Sequence, residues 1–212
     1  MERIIKKINI GSILIVVGLM AVVCATVLYF YNVRTEYEAA KASLNIAEAL
    51  ISHLIITEKT DSAVTGFTGE NTAEISSEQD ETGTSTLIMD GQYYIGVLSI
   101  PALELDLPVN KQWSYPLLKL TPCRYSGSVV ENDLVILAHN YNTHFGNISM
   151  LRTNNPVYFT DADGIVHSYA VKEIETVTPN SVTKIVYSNY DLVLVTCNYN
   201  GEARVVVRCA RK

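Results

Sequence analysis

Ile8 to Tyr31 is a run of 24 residues without a charge, and it divides the chain before any other feature is considered. At a rise of about 1.5 Å per residue, a helix of that length crosses a hydrocarbon core of about 30 Å. A membrane span over residues 8–31 is therefore expected. A cleaved signal peptide is the competing reading, but its apolar core is typically about 7 to 15 residues, and no small-x-small site closes this run. Retention is favoured. Arg3, Lys6 and Lys7 precede the span with only Glu2 against them, whereas Arg34, Glu36, Glu38 and Lys41 follow it as a balanced set. That flank places residues 1–7 in the cytoplasm and everything beyond Tyr31 outside the cell.

Charge and cysteine usage narrow the class further. The chain of 212 residues carries a net charge of −6, but eight acids and only Lys59 lie between Thr57 and Asp90, so the remainder is close to neutral. No basic stripe of the kind that binds nucleic acid is present, and no nucleic-acid partner is expected. Four cysteines, Cys24, Cys123, Cys197 and Cys209, make neither a disulfide framework nor a metal-type spacing. Cys123 and Cys209 could pair in an oxidising exterior; two free buried thiols are the favoured reading. No metal and no cofactor are expected.

After the span, residues 32–56 mix alanine and leucine with charges and contain no glycine or proline, which predicts a continuing helix. Residues 57–86 turn to Ser, Thr, Gly, Glu and Asp, too few large apolar groups to offset ordering entropy, and are expected to be a flexible acidic tether. The globular domain is expected to be 87–212. Within it, Tyr93–Ile100, Leu105–Val109, Leu134–Ala138, Val157–Thr160 and Ile165–Val177 read as strands, with helical turns at Trp113–Leu120 and Ile148–Arg152. Asn180–Asp191 reads as a loop. The turn Asp161-Ala162-Asp163-Gly164 resembles the start of a calcium loop, but the terminal glutamate is missing, and a hairpin turn is the stronger reading. About eight strands at regular spacing with little helix predict an all-β closed barrel.

The last two strands come from Leu192 to Arg208, LVLVTCNYNGEARVVVR, two period-two apolar runs around a turn at Asn198–Glu202 that carries Asn-Gly. Cys197 ends the first strand and Arg204 opens the second. A thiol reacts as its thiolate, which a nearby guanidinium favours, and the same cation can hold a developing oxyanion. Buried cysteine is also a common structural residue, so a partner is needed. Asp133 to Asn140, DLVILAHN, supplies one: a buried strand ending in His139. Cysteine, histidine and arginine at three strand ends suit a nucleophile, an acid/base and an electrophile. His144, in a polar loop, is the alternative imidazole; Arg208, on the same strand face as Arg204 by even spacing, is the alternative cation.

Leu194-Val195-Thr196-Cys197, an arginine leading the next strand, and a histidine ending a strand about sixty residues upstream resemble the sortases, the cysteine transpeptidases of Gram-positive surfaces. The resemblance runs from Tyr93 to Lys212 and takes in YIGVLSIPALELDLPV and YSGSVVENDLVILAH. Ala138 stands where the family usually has glycine, and only six residues separate Cys197 from Arg204. The resemblance implies a closed eight-stranded barrel with Cys197, His139 and Arg204 catalytic, and Thr196 and Asn140 are expected to meet substrate. It also implies cleavage of a Leu-Pro-x-Thr-Gly-type sorting signal on surface proteins, through a thioacyl enzyme, and transfer to a cell-wall precursor or pilin amine. Two other readings stay open. One is a non-catalytic anchored β-domain that binds wall or a partner protein; the other is a cysteine transpeptidase acting on peptidoglycan, whose Ser-x-Gly-Cys type of motif is absent here. A single N-terminal span argues against the usual pilin-polymerase layout.

Overall fold

The computed structural model describes residues 10–60, 76–79, 85–198 and 201–212. The chain divides into two compact units, Met1–Tyr37 and Glu38–Lys212. A single helix, α1 (Ile10–Thr60), contributes to both. In the first unit the large apolar side chains from Ile13 to Val33 are exposed, Leu14 at 66% and Phe30 at 69% among them. Such a surface suits lipid rather than water.

In the second unit, β1 (Ser76–Gln79), β2 (Ser85–Met89), β3 (Gln92–Ile100), β4 (Leu105–Asn110), β5 (Cys123–Ser126), β6 (Leu134–Leu137), β7 (Pro156–Asp161), β8 (Val166–Val177), β9 (Leu192–Cys197) and β10 (Arg204–Arg211) form one sheet. Eight of them close into a barrel in the order β3-β4-β5-β6-β9-β10-β8-β7, with β7 returning to β3. The expected all-β, closed eight-stranded architecture is what the chain adopts, and closure removes the edges that would otherwise invite aggregation. At the closing seam Gly96 has φ +148°, and a Cβ there would lie 2.1 Å from the Thr160 carbonyl oxygen. Only glycine allows β3 and β7 to meet there. Pro108 lies within β4, whose pairing to β5 is the single step Asn110–Cys123. A missing N–H is tolerated where one side is so sparsely paired.

Alternation decides what each strand shows to the core. Leu134 and Ile136 of β6, Leu192 and Leu194 of β9, and Val207 and Cys209 of β10 fill the barrel. Val135, Val193, Val195 and Val206 point the other way and form a second cluster, capped by Ile185 of α3 (Val182–Val186). That short helix lies within the connection read as a plain loop. One end of the barrel is filled by Phe145 and by Ile148 of the 3-10 turn Ile148–Met150. His144 beside them has no exposed surface, and neither ring nitrogen makes a well-formed hydrogen bond. Burial first, and the His139 charge second, push it down to about 4 against a weaker pull from the Leu120 backbone.

The tether expectation meets a correction. Residues 61–75 and 80–84 lie outside the described residues. The rest of 57–86 is regular structure, because Ser76 to Gln79 pair antiparallel with Ile88 to Ser85, and β2 extends the sheet from β3. The domain boundary expected at 87 therefore falls inside β2. The helix over 32–56 is part of the same unit from Glu38 onward: Leu50 and Leu54 pack with Leu87, Met89, Tyr94, Val97 and Ala162. Asp161 to Gly164 form a hairpin turn between β7 and β8, with Asp161 Oδ1 accepting from the N–H groups of Asp163 and Ile165.

Two outcomes follow. In a fragment beginning at Glu38, Leu50→Ala is expected to lower stability by about 3 kcal/mol in urea unfolding, whereas Leu44→Ala, whose side chain is exposed, leaves it within about 0.5 kcal/mol. The second outcome concerns His144. Its native affinity for a proton is depressed, so between about 6.5 and 4 the unfolded chain takes up a proton that the folded chain refuses. Stability should fall by up to about 3 kcal/mol as pH drops through that window, and His144→Phe should flatten the slope.

Candidate active site

β9 lies between β6 and β10 in the barrel wall. β6 and β9 run parallel with Leu137 opposite Val195, and the Ala138 N–H donates to the Val195 carbonyl at 3.1 Å. Two residues further along each strand come His139 and Cys197, so the imidazole and the thiol leave the wall at the same end. On the opposite side, antiparallel pairing sets Arg204 directly across from Cys197. The three residues thus occupy one row across three neighbouring strands. They border a common groove of about 300 Å³.

Local chemistry fixes that row. The Thr196 hydroxyl points into the barrel and donates to the Ala138 carbonyl at 2.9 Å, tying the end of β9 to the end of β6. Thr196, expected to meet substrate, is buried but borders the groove, and its side chain braces the two chains that carry the thiol and the imidazole. The hairpin turn is held by Asn198, whose N–H donates to the Ala203 carbonyl at 2.9 Å and whose Oδ1 accepts from the Ala203 N–H at 3.1 Å. Arg204 uses Nη1 to donate to the carbonyls of Gly201 and Ala203, both at 3.2 Å. Its planar head is thereby folded toward the turn with other donors still available in the fork.

His139 stacks on Tyr141, ring centroids 4.9 Å apart at 26°. Burial, and then the positive charge of Lys119, hold it below the ordinary imidazole range. His144 lies 5.5 Å from the same tyrosine, fully buried, and does not line the groove that holds the thiol. Asn140 lies on the other side of Cys197, in a separate cleft of about 230 Å³ with Ser149 and Asn198. Arg208, the alternative cation, is 5% exposed and pairs with Glu175 rather than reaching the groove. Among the remaining thiols, burial pushes Cys123 and Cys209 up to about 12, which leaves half-buried Cys197 as the groove's own thiol.

Sequence reading missed the groove's walls. One is aromatic, Trp113 and Tyr115 of the β4–β5 connection against Tyr125 of β5. The other is apolar, Val182 and Ile185 of α3. The three-residue spacing of Val182 and Ile185 was the available signal for a helical turn, and it was hidden by the Ser, Asn and Thr around it.

A sortase-domain model matches residues 98–212. Among curated proteins there is no match. Solved structures with the same fold include a sortase D5 transpeptidase of Clostridium perfringens, 21% identical over 59% of this chain and 82% of that one, with a TM-score of 0.51. Sortase C1 of Streptococcus agalactiae is 22% identical over 58% and 69%, TM-score 0.52. Sortase C of Streptococcus pneumoniae is 20% identical over 78% and 88%, TM-score 0.52. At these identities the likeness concerns the fold, and the domain match carries the lineage. Because that match spans more than half of the chain and lies on the closed barrel itself, the chain belongs to the sortase family of cysteine transpeptidases.

Proposed function

We propose that the chain is a membrane-anchored sortase in which Cys197, His139 and Arg204 carry two successive acyl transfers. The observation behind this reading is the row across β6, β9 and β10, which sets all three on one groove. Cys197 as thiolate attacks the scissile carbonyl, forming the S–C bond; the oxyanion is held by the Arg204 guanidinium and by backbone N–H groups after Thr196. As the C–N bond breaks, His139 gives its proton to the leaving amine. The incoming amine then attacks the thioester and loses a proton to His139, and the thiolate departs. Without an amine, water completes the same cycle.

The donor is a sorting signal of the Leu-Pro-x-Thr-Gly type at the C-terminus of a surface protein. Support comes from the groove, whose walls near the thiol are Leu137, Val182, Ile185 and Val195 on one side and Trp113 and Tyr125 on the other, surfaces on which leucine and proline side chains pack. The acceptor is a cell-wall precursor amine or a pilin lysine. The basic N-terminal flank of the apolar helix favours a cytoplasmic N-terminus with the barrel outside the membrane.

The deciding experiment is mass spectrometry of the protein incubated with sorting peptides. An acyl adduct on Cys197 is expected with the wild type and none with Cys197→Ala. Arg204→Lys, which keeps the charge but loses the planar fork, should cut acylation by about 10² to 10³ with the melting temperature nearly unchanged. Transfer by the Cys197→Ala protein would place the nucleophile elsewhere, and a thiol inert to both peptide and iodoacetamide would favour a non-catalytic anchored domain.

Lys119 gives a pH test. Its positive charge disfavours a second charge on His139, so Lys119→Met should raise the proton affinity of the imidazole and move the limb of the rate profile carried by His139 to higher pH. The profile of kcat/KM, with His139 ring protons followed by NMR, measures this; a limb that stays fixed would assign it to another group.

A further inference from the structure

Arg208 is the most buried charged side chain among the described residues, and the reaction just outlined gives it no part. Its planar head is engaged on every edge. Nη2 is in a charge-assisted hydrogen bond with Glu175 Oε1 of β8, and Nε lies 3.7 Å from Glu173 Oε2 on the same strand. Nη1 donates at 3.2 Å to the Lys184 carbonyl, within α3. The guanidinium carbon lies over the ring of Tyr190, 5.7 Å from its centroid, and the Tyr190 hydroxyl donates to Glu173 at 3.2 Å. One guanidinium therefore joins β10, β8, α3 and the segment leading into β9.

We infer that Arg208 is a positioning residue for the donor side of the groove, holding the α3 wall at the depth a sorting peptide requires. The inference rests on the function proposed above. α3 has five residues, makes few internal hydrogen bonds and has no side-chain cap at Ser181, so it does not persist on its own propensity. Its apolar contribution is Ile185, buried in one cluster with Val206, which lies midway between Arg204 and Arg208, and Val182, which faces the groove. Ile185 gives α3 burial but no direction. The carbonyl of Lys184 is one of the unpaired groups at the helix's end, and a cationic donor there satisfies it and the local dipole together.

The ion pair alone does not explain the arrangement. Glu173 and Glu175 are substantially exposed, and such pairs contribute little, while an apolar side chain of similar volume would fill the space at lower desolvation cost. What only a guanidinium supplies is the set of directions: two edges toward β8, one toward α3, and a face toward Tyr190. Lysine keeps the charge and loses that set.

Arg208→Lys in the full-length protein, in detergent, is the test. The donor-peptide KM is expected to rise about tenfold, the equivalent of one charge-assisted hydrogen bond, while kcat, the amine KM and the rate of Cys197 alkylation by iodoacetamide stay within twofold. Amide exchange at residues 183–187 should quicken without a matching change across β6 and β9. Tyr190→Phe, which keeps the ring and loses only the hydroxyl, should shift the donor KM in the same direction by a smaller factor. An unchanged donor KM, or unchanged exchange in α3, overturns the inference alone. A fall in kcat, alkylation and melting temperature together also overturns it, as a merely structural role. Failure of the wild type to form an adduct overturns the underlying function and the inference with it.

Discussion

Parity along three neighbouring strands is the constraint on which the site depends. In a strand, successive side chains face opposite sides, and a slip of one residue inverts every one of them. Leu192, Leu194 and Thr196 face into the barrel, so Val193, Val195 and Cys197 face out; Leu134, Ile136 and Ala138 face in, so His139 continues the outward series. Most of the residues that hold the register are thus apolar. With six consecutive residues of β9 matched to β10, and four matched to β6, moving the thiol inward would require exposing the core leucines. The Thr196 to Ala138 hydrogen bond marks where this registration ends and the row of Cys197, His139 and Arg204 begins.

The same logic explains what was legible in the sequence. Strands with strict alternation and the Asn-Gly hairpin declared themselves, and the separation of Cys197, His139 and Arg204 from the many other polar residues came from their places at strand ends. Features that depend on what packs from outside were not legible. α3 forms because Ile185 finds Val135, Val193 and Val206, and because Arg208 meets its carbonyl; neither cause lies within residues 180–191. β5 was missed for a similar reason: Cys123 to Ser126 is short and half polar, and it is a strand because β6 pairs with it. The Ser76–Gln79 segment, all polar, is a strand only through β2.

Arg204 and Arg208 show why residue type and face cannot by themselves assign a role. They lie on one face of one strand, four residues apart, yet β8 presents acids to Arg208 and Val177 to Arg204. The first cation is consumed by its neighbours. The second stands across from the thiol, beside a turn whose carbonyls orient it without neutralising it. An oxyanion forming at Cys197 would find an uncompensated positive charge at Arg204, and a carboxylate-screened one at Arg208, a difference the sequence spacing of six residues between Cys197 and Arg204 could not reveal.

The packing of α1 against β2 and β3 has a consequence for the seam. Leu50 and Leu54 cover Tyr94 and Val97, which flank Gly96 where β3 parts from β2 and meets β7. β3 has to serve three neighbours, and it does so by changing partner at the one residue without a Cβ. The outward side chains on either side of that switch would be wet in a bare barrel, so packing from α1 stabilises the strand where its pairing is interrupted. The end of α1 thus belongs to the same unit as the barrel, and the closure on which the row of Cys197, His139 and Arg204 depends is buttressed by residues outside the barrel itself.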